Sequence, residues 1–151
     1  MSSIKKIFLG TDHAGFELKE EIKDFLESKK YNIEDCGAYT FEKLDDYPDF
    51  IIPVARNVSA SPEEYRGIIF GGSGQGEAMS ANRFKNVRAT VFYGFDFEII
   101  KLSRLHNNAN ILSIGARFVS SVNAKRAIEL WLETPFEGGR HEARIKKIDD
   151  I

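Results

Sequence analysis

Apolar positions along the chain fall into short continuous runs separated by stretches with helical spacing. Residues 4–10, IKKIFLG, suit a buried strand, and behind them Leu18, Ile22, Phe25 and Leu26 recur at i, i+4, i+7 and i+8, the stripe of a helix. YNIEDCG (31–37) is a second strand candidate. The polar stretch AYTFEKLDD then ends at Asp46-Tyr47-Pro48, an N-cap region with proline in the first turn, and Ile51, Val54, Ala55 and Val58 share one face of the helix that follows. The alternation continues with strand GIIFGG, a glycine loop, a short helix near 76–84, strand RATVFY (88–93), a helix over 95–106 and strand NILSIG (110–115). Helices over about 121–133 and 140–149 complete the pattern.

Five strand candidates alternating with helices predict a mostly parallel sheet, because parallel strands need crossover connections and helices supply them. The expected fold is α/β: a three-layer α/β/α sandwich of Rossmann-like type, a five-stranded parallel sheet with helices on both faces and a C-terminal helix. No linker, repeat or low-complexity segment interrupts the pattern, so residues 1–151 read as one domain. Ligands of open parallel sheets bind beyond the carboxyl ends of the strands. Asp12 and His13 follow the first strand, the glycine loop the third and Arg117 the fifth, which makes these the first candidates for a site.

Composition narrows the possibilities. Twenty-one basic and 23 acidic residues give a net charge of −2, so no overall cationic field attracts nucleic acid. Cys36 is the only cysteine, which excludes an intramolecular disulfide and a cysteine-built metal site. No apolar run approaches the ~18–20 residues of a membrane span, and the first ten residues lack a signal-peptide core. A cytoplasmic protein without membrane contact is expected. The three histidines show neither HExxH nor i, i+4 spacing with one another, so no metal is expected.

The stretch GIIFGGSGQGEAMSANR (67–83) carries the strongest chemical signal. No Lys-Ser or Lys-Thr follows its glycines, against a nucleotide P-loop, and Glu77 stands where a dinucleotide fingerprint would need its third glycine. Gly71, Gly72, Gly74 and Gly76 fit either a tight turn or an anion hole of backbone N–H groups at a helix start, with Glu77 as an adjacent base. His13 beside Asp12 suits hydroxyl or phosphate binding, or helix capping. Spacing puts His106 on one helical face with Phe95, Ile99 and Leu102, as a core histidine would be. Arg140 and Arg144, an i, i+4 pair, can clamp a phosphate or pair with acids such as Glu142 or Asp149.

Five motifs, GTDHAGFELKEEI, DYP, GGSGQGEAMSANRF, RLHNNANILSIGAR and EGGRHEARI, together resemble the ribose 5-phosphate isomerase type B family, which includes galactose 6-phosphate isomerase subunits. The resemblance runs over about residues 4–149. It implies cofactor- and metal-free aldose-ketose interconversion of a sugar phosphate, in homodimers or tetramers whose active sites are shared between subunits. By resemblance, Asp12 and His106 match positions of sugar ring opening, and Tyr47 and Asn107 contact substrate. His13, Arg117, Arg140 and Arg144 match the phosphate-binding set, and Gly72, Ser73, Gly74 and Gly76 the loop that stabilises the enediolate. Some members place a cysteine base where this chain has Gly71. Another subgroup has glycine there and a glutamate placed as Glu77 is, and this sequence follows the second pattern. The implied substrate is ribose 5-phosphate, with allose 6-phosphate or galactose 6-phosphate as alternatives. A non-catalytic sugar-phosphate or nucleotide-binding module, or a flavodoxin-like redox protein, would compete for the same fold.

Overall fold

The computed structural model describes residues 3–151. Its strands are β1 (Lys6–Thr11), β2 (Ile33–Asp35), β3 (Tyr65–Gly71), β4 (Ala89–Phe92) and β5 (Ile111–Gly115). All pair in parallel, in the order β2-β1-β3-β5-β4. The six α-helices are α1 (Phe16–Ser28), α2 (Pro48–Ala60), α3 (Gln75–Ala81), α4 (Phe97–Leu105), α5 (Ser121–Glu133) and α6 (Arg140–Asp149).

Residue alternation along the strands sorts the core into two layers. Ile7 and Leu9 of β1, Ile68 and Phe70 of β3, and Leu112 and Ile114 of β5 face one way, against Leu18, Ile22 and Leu26 of α1, Ile100 of α4 and Trp131 of α5. Phe8, Ile69 and Ile111 face the other way, where the predicted stripe of Ile51, Val54, Ala55 and Val58 on α2 covers them. Both faces of the central strands are therefore dry, as an all-parallel sheet requires. Pro48 occupies the first turn of α2 as its position in the sequence suggested.

The helix expected over 95–106 begins later, at Phe97, because the Asp96 side chain accepts a hydrogen bond from the Glu98 amide and caps it there. Its buried face also differs from the expectation. Ile100, Ser103 and Arg104 point inward, whereas Phe95 is 82% and Ile99 51% exposed. His106, which closes α4 as its C-cap, is thus on a half-exposed shoulder and is not a core histidine. Among the described residues no helix is long and apolar enough to cross a membrane.

Candidate active site

At the carboxyl ends of β1, β3 and β5 the chain forms a crevice floored by the glycine loop. Gly74 has φ +80°, a left-handed conformation that a side chain would strain, and it starts α3. The loop is pinned from below, since the buried Ser113 hydroxyl of β5 donates to the Gly74 carbonyl at 2.7 Å. The Ala116 and Arg117 amides donate to the Gly71 and Gly72 carbonyls, so the loops after β3 and β5 are tied to each other. The Ser73 hydroxyl accepts from the Gln75 amide at 3.3 Å, leaving its own proton free for a ligand.

Glu77 lies in the first turn of α3, only 5% exposed, and its carboxyl folds back over β3. A Cβ at Gly71 would fall 2.0–2.4 Å from its carboxyl atoms. The space a side chain at position 71 would use is therefore filled by the Glu77 carboxyl group, and the two cannot coexist in this geometry. Burial pushes the Glu77 carboxyl above the ordinary carboxylate range; its own amide and that of Gly74 hold it down in part, and the negative charge of Asp12 raises it further. A carboxylate poised this way is more basic than one in water, which suits proton abstraction.

The other candidates fall into two groups. In the first, Asp12 is 7% exposed and caps the turn after β1 by accepting from the Ala14 amide at 3.0 Å. His13 has its Nδ1 held 2.7 Å from Asp45 Oδ1, and the same oxygen accepts from the His13 amide, so that Nε2 is the ring nitrogen left for a ligand. The Tyr47 hydroxyl reaches the glycine loop, within 2.5 Å of where a Cβ on Gly76 would stand. The Arg117 guanidinium passes over Gly72, its Nη1 3.1 Å from that residue's ideal Cβ position, and it forms no ion pair among the described residues. Asp12 is close enough to Glu77 for their charges to interact, and Tyr47 and Arg117 lie against the glycine loop, so these groups gather at the carboxyl ends of β1, β3 and β5.

The second group is at the opposite end of the sheet. His106 and Asn107 precede β5, Leu105 accepts from the Glu137 amide, and α6 is fastened there by Arg88, whose guanidinium grips Asp149 at 2.9–3.0 Å. His106 stacks on buried His141, ring centroids 4.3 Å apart and planes 17° from parallel, and His141 Nε2 is 3.0 Å from Glu137. Arg140 and Arg144 are exposed on this same end and have no acid partner among the described residues: Glu142 pairs with neither, and Asp149 is held by Arg88. At ~3.3 Å per residue the length of β5 separates the two groups by about 15 Å. The candidates of the first group thus lie at the carboxyl ends of strands, whereas His106, Asn107, Arg140 and Arg144 do not.

Two features escaped sequence reasoning. Asp45, the partner that orients His13, lies 32 residues away in a polar loop, where nothing distinguishes it from its neighbours. His106, Glu137 and His141 also bring ligand atoms within 4.8 Å of one another, as do Asp12, His13 and Asp45, although the histidine spacings give no such groups. The stacked rings place the in-plane lone pairs of His106 and His141 in nearly parallel planes, so they do not converge on one ion. Cys36 sits behind β2 with its thiol pushed up to about 11 by burial and nearby Glu34 and Asp35, which leaves it a poor nucleophile.

A parallel sheet with a buried carboxyl raised above its ordinary range over a glycine loop, and the unpaired Arg117 beside it, is an arrangement suited to holding a small anion and moving a proton. The chain belongs to the ribose/galactose isomerase family: the family profile described as Ribose/Galactose Isomerase matches residues 7–148. It is 39% identical over 142 residues to a probable ribose-5-phosphate isomerase B of Mycoplasma genitalium, covering 94% of this chain and 92% of that protein. It is 38% identical over 141 residues to the ribose-5-phosphate isomerase B of Mycolicibacterium paratuberculosis, covering 93% and 87%. Among solved structures, the Mycoplasma genitalium ribose-5-phosphate isomerase B with bound ribulose-5-phosphate superposes with a TM-score of 0.92 at 38% identity, over 96% of this chain and 94% of that one. A Thermotoga maritima ribose 5-phosphate isomerase gives 0.89 at 41% identity, over 97% and 98%.

Proposed function

We propose that this chain interconverts ribose 5-phosphate and ribulose 5-phosphate without a metal, through a cis-enediolate. The observation that carries this reading is the Glu77 carboxyl, buried in the crevice and occupying the space beside Gly71. In this mechanism the phosphate docks against His13, Arg117, Arg140 and Arg144 and positions the far end of the sugar over the glycine loop. His106, working with Asp12, shuttles a proton from the anomeric hydroxyl to the ring oxygen and opens the furanose. Glu77 then takes the proton from C2, the C1 carbonyl becomes an oxyanion held by the loop amides and Ser73, and the same carboxyl returns the proton to C1. The proton on the C2 hydroxyl passes to the C1 oxygen, leaving a ketone at C2. Tyr47 and Asn107 hold the substrate hydroxyls.

Since Asp12 and Glu77 lie at one end of the sheet and His106, Arg140 and Arg144 at the other, one chain cannot close this site. We infer a homodimer, alone or within a tetramer, in which the His106 end of one copy covers the crevice of the next. Tyr93, Phe95 and Phe118, all more than half exposed around the crevice end of β4 and β5, supply apolar surface for such a contact.

The test is turnover measured on ribose 5-phosphate, allose 6-phosphate and galactose 6-phosphate with no metal added. Activity highest on ribose 5-phosphate is expected. Preference for a six-carbon substrate would reassign the sugar, and absence of turnover on all three, or a requirement for metal, would overturn the reading.

A further inference from the structure

A further pair of arginines lies at the same end of the sheet as His106, but lines a cavity that none of the residues assigned above enters. Arg66, on β3, is 8% exposed and Arg104, on the inner face of α4, is 6% exposed. Both line a cavity of about 600 Å³ at the amino-terminal end of the sheet, together with Tyr31, Asn108, Leu132 and Phe136. None of the proposed substrate-binding residues contributes to its wall.

Both guanidinium groups are held in place, but neither has an ion-pair partner; Glu63 attracts both only from beyond ion-pair distance. Arg66 donates through Nη1 alone, to the carbonyls of Pro62, Glu63 and Tyr65. Arg104 donates through Nε to Thr134 and through Nη1 to Asn108 Oδ1 and the Ala109 carbonyl. Carbonyl dipoles orient a guanidinium yet supply no countercharge. Among the described residues, Arg66 Nε and the Nη2 of both residues have no protein acceptor and no carboxylate is within ion-pair distance of either residue. Arg88, the third buried arginine nearby, does have its acid in Asp149. Burying a cation without an anion is costly, so two such cations side by side are a deficit that a ligand can fill. Burial and repulsion from Arg66 and Arg88 bring the Arg104 guanidinium down to about 10, against the partial pull of Glu63.

We propose that the cavity is a binding site for a phosphate group carried on a small organic body, with Arg66 and Arg104 as its charged floor and Tyr31 and Phe136 as its apolar wall. Glu63 and Glu133, exposed at the rim, disfavour highly charged polyanions and restrict the site to a single phosphate group. Paired guanidinium groups give the directed donors that phosphate oxygens accept.

The experiment uses full-length protein carrying Arg140→Ala and Arg144→Ala, which weakens the proposed substrate-phosphate set, and titrates it with inorganic phosphate and with adenosine 5′-monophosphate, following thermal stability and calorimetric heat. Saturable binding of both, tighter for the monophosphate ester, is expected. Adding Arg66→Gln should weaken it at least about tenfold, the loss of one charge-assisted pair. Phe136→Glu, which tethers a carboxylate at the cavity wall, should compete with phosphate to the same effect and serves if Arg66→Gln does not fold. Absence of saturable binding, or binding unchanged by both substitutions, overturns the proposal. In the otherwise native protein, turnover of Arg66→Gln without added phosphate should match the unsubstituted enzyme, so a failure here is separable from a failure of the isomerase reading.

Discussion

Glu77 and Gly71 are coupled through shared space, and that coupling makes testable demands. Because its folded-state carboxyl is raised, Glu77 favours folding when protonated and opposes it when ionised; that stabilisation is complete below the ordinary carboxylate range and is lost as pH rises through the elevated value. Glu77→Gln should therefore raise the melting temperature at neutral pH, with the gain vanishing in acid, while kcat falls ~10²–10⁴-fold for loss of the base. The acid limb of kcat/KM in the native protein should lie above the ordinary carboxylate range and disappear in the residual activity of the variant. Gly71→Cys forces the carboxyl out of its place, and turnover should drop by a comparable ~10²-fold. Removing the obstruction in Gly71→Cys/Glu77→Ala makes room for a thiolate base, so the double variant should be more active than Gly71→Cys alone. Equal activities in a steady-state assay would show that the two positions do not compete.

At the level of elements, the loop bearing Asp45 and Tyr47 depends on a buried ion pair. Lys19 of α1 has no exposed surface; it donates to both Asp35 oxygens at 2.7 and 2.9 Å and to the Ala38 carbonyl at 2.7 Å, which locks α1 to the end of β2 and the chain beyond. Lys19→Met leaves the Asp35 charge underserved and should cost about 3–5 kcal/mol in urea unfolding. Burial alone would raise the Asp35 carboxyl, but Lys19, the Gly37 amide and Lys23 hold it below the ordinary range, so part of this stabilisation should fade as the native protein is acidified. Periodicity revealed the elements well where one face is dry: the α2 stripe and, apart from half-buried Phe25, the α1 stripe are buried, and α5 and α6 begin and end where the pattern put them. It misread α4 because Phe95, Ile99 and Leu102 form as regular a stripe as the true inner face, and hydrophobicity does not say whether a core or another chain will cover it. Glu77 and its glycines were legible because they are contiguous. The His13–Asp45 pair and the His106–His141 stack were not, because each joins segments that only the tertiary fold brings together.

On the scale of the whole molecule, the sheet carries half of a proposed active site at each end. Activity should therefore depend on association: dilution below the dimer dissociation constant should abolish turnover, and a charge at Phe95, as in Phe95→Asp, should move that threshold to higher protein concentration by sedimentation. Mixing separately inactive Glu77→Gln and His106→Ala proteins under exchange conditions should regenerate activity. Random pairing makes half the dimers mixed, and each of these has one site with both lesions and one with none, which restores about a quarter of the native rate. If the mixture stayed inactive after exchange was verified by mass spectrometry, both groups would have to act within one chain. The division of labour between the two ends of the sheet reaches into inheritance. Two alleles that are each lethal to the reaction, one damaged at the glycine loop and the other at the α4–β5 turn, can together sustain a cell that carries both.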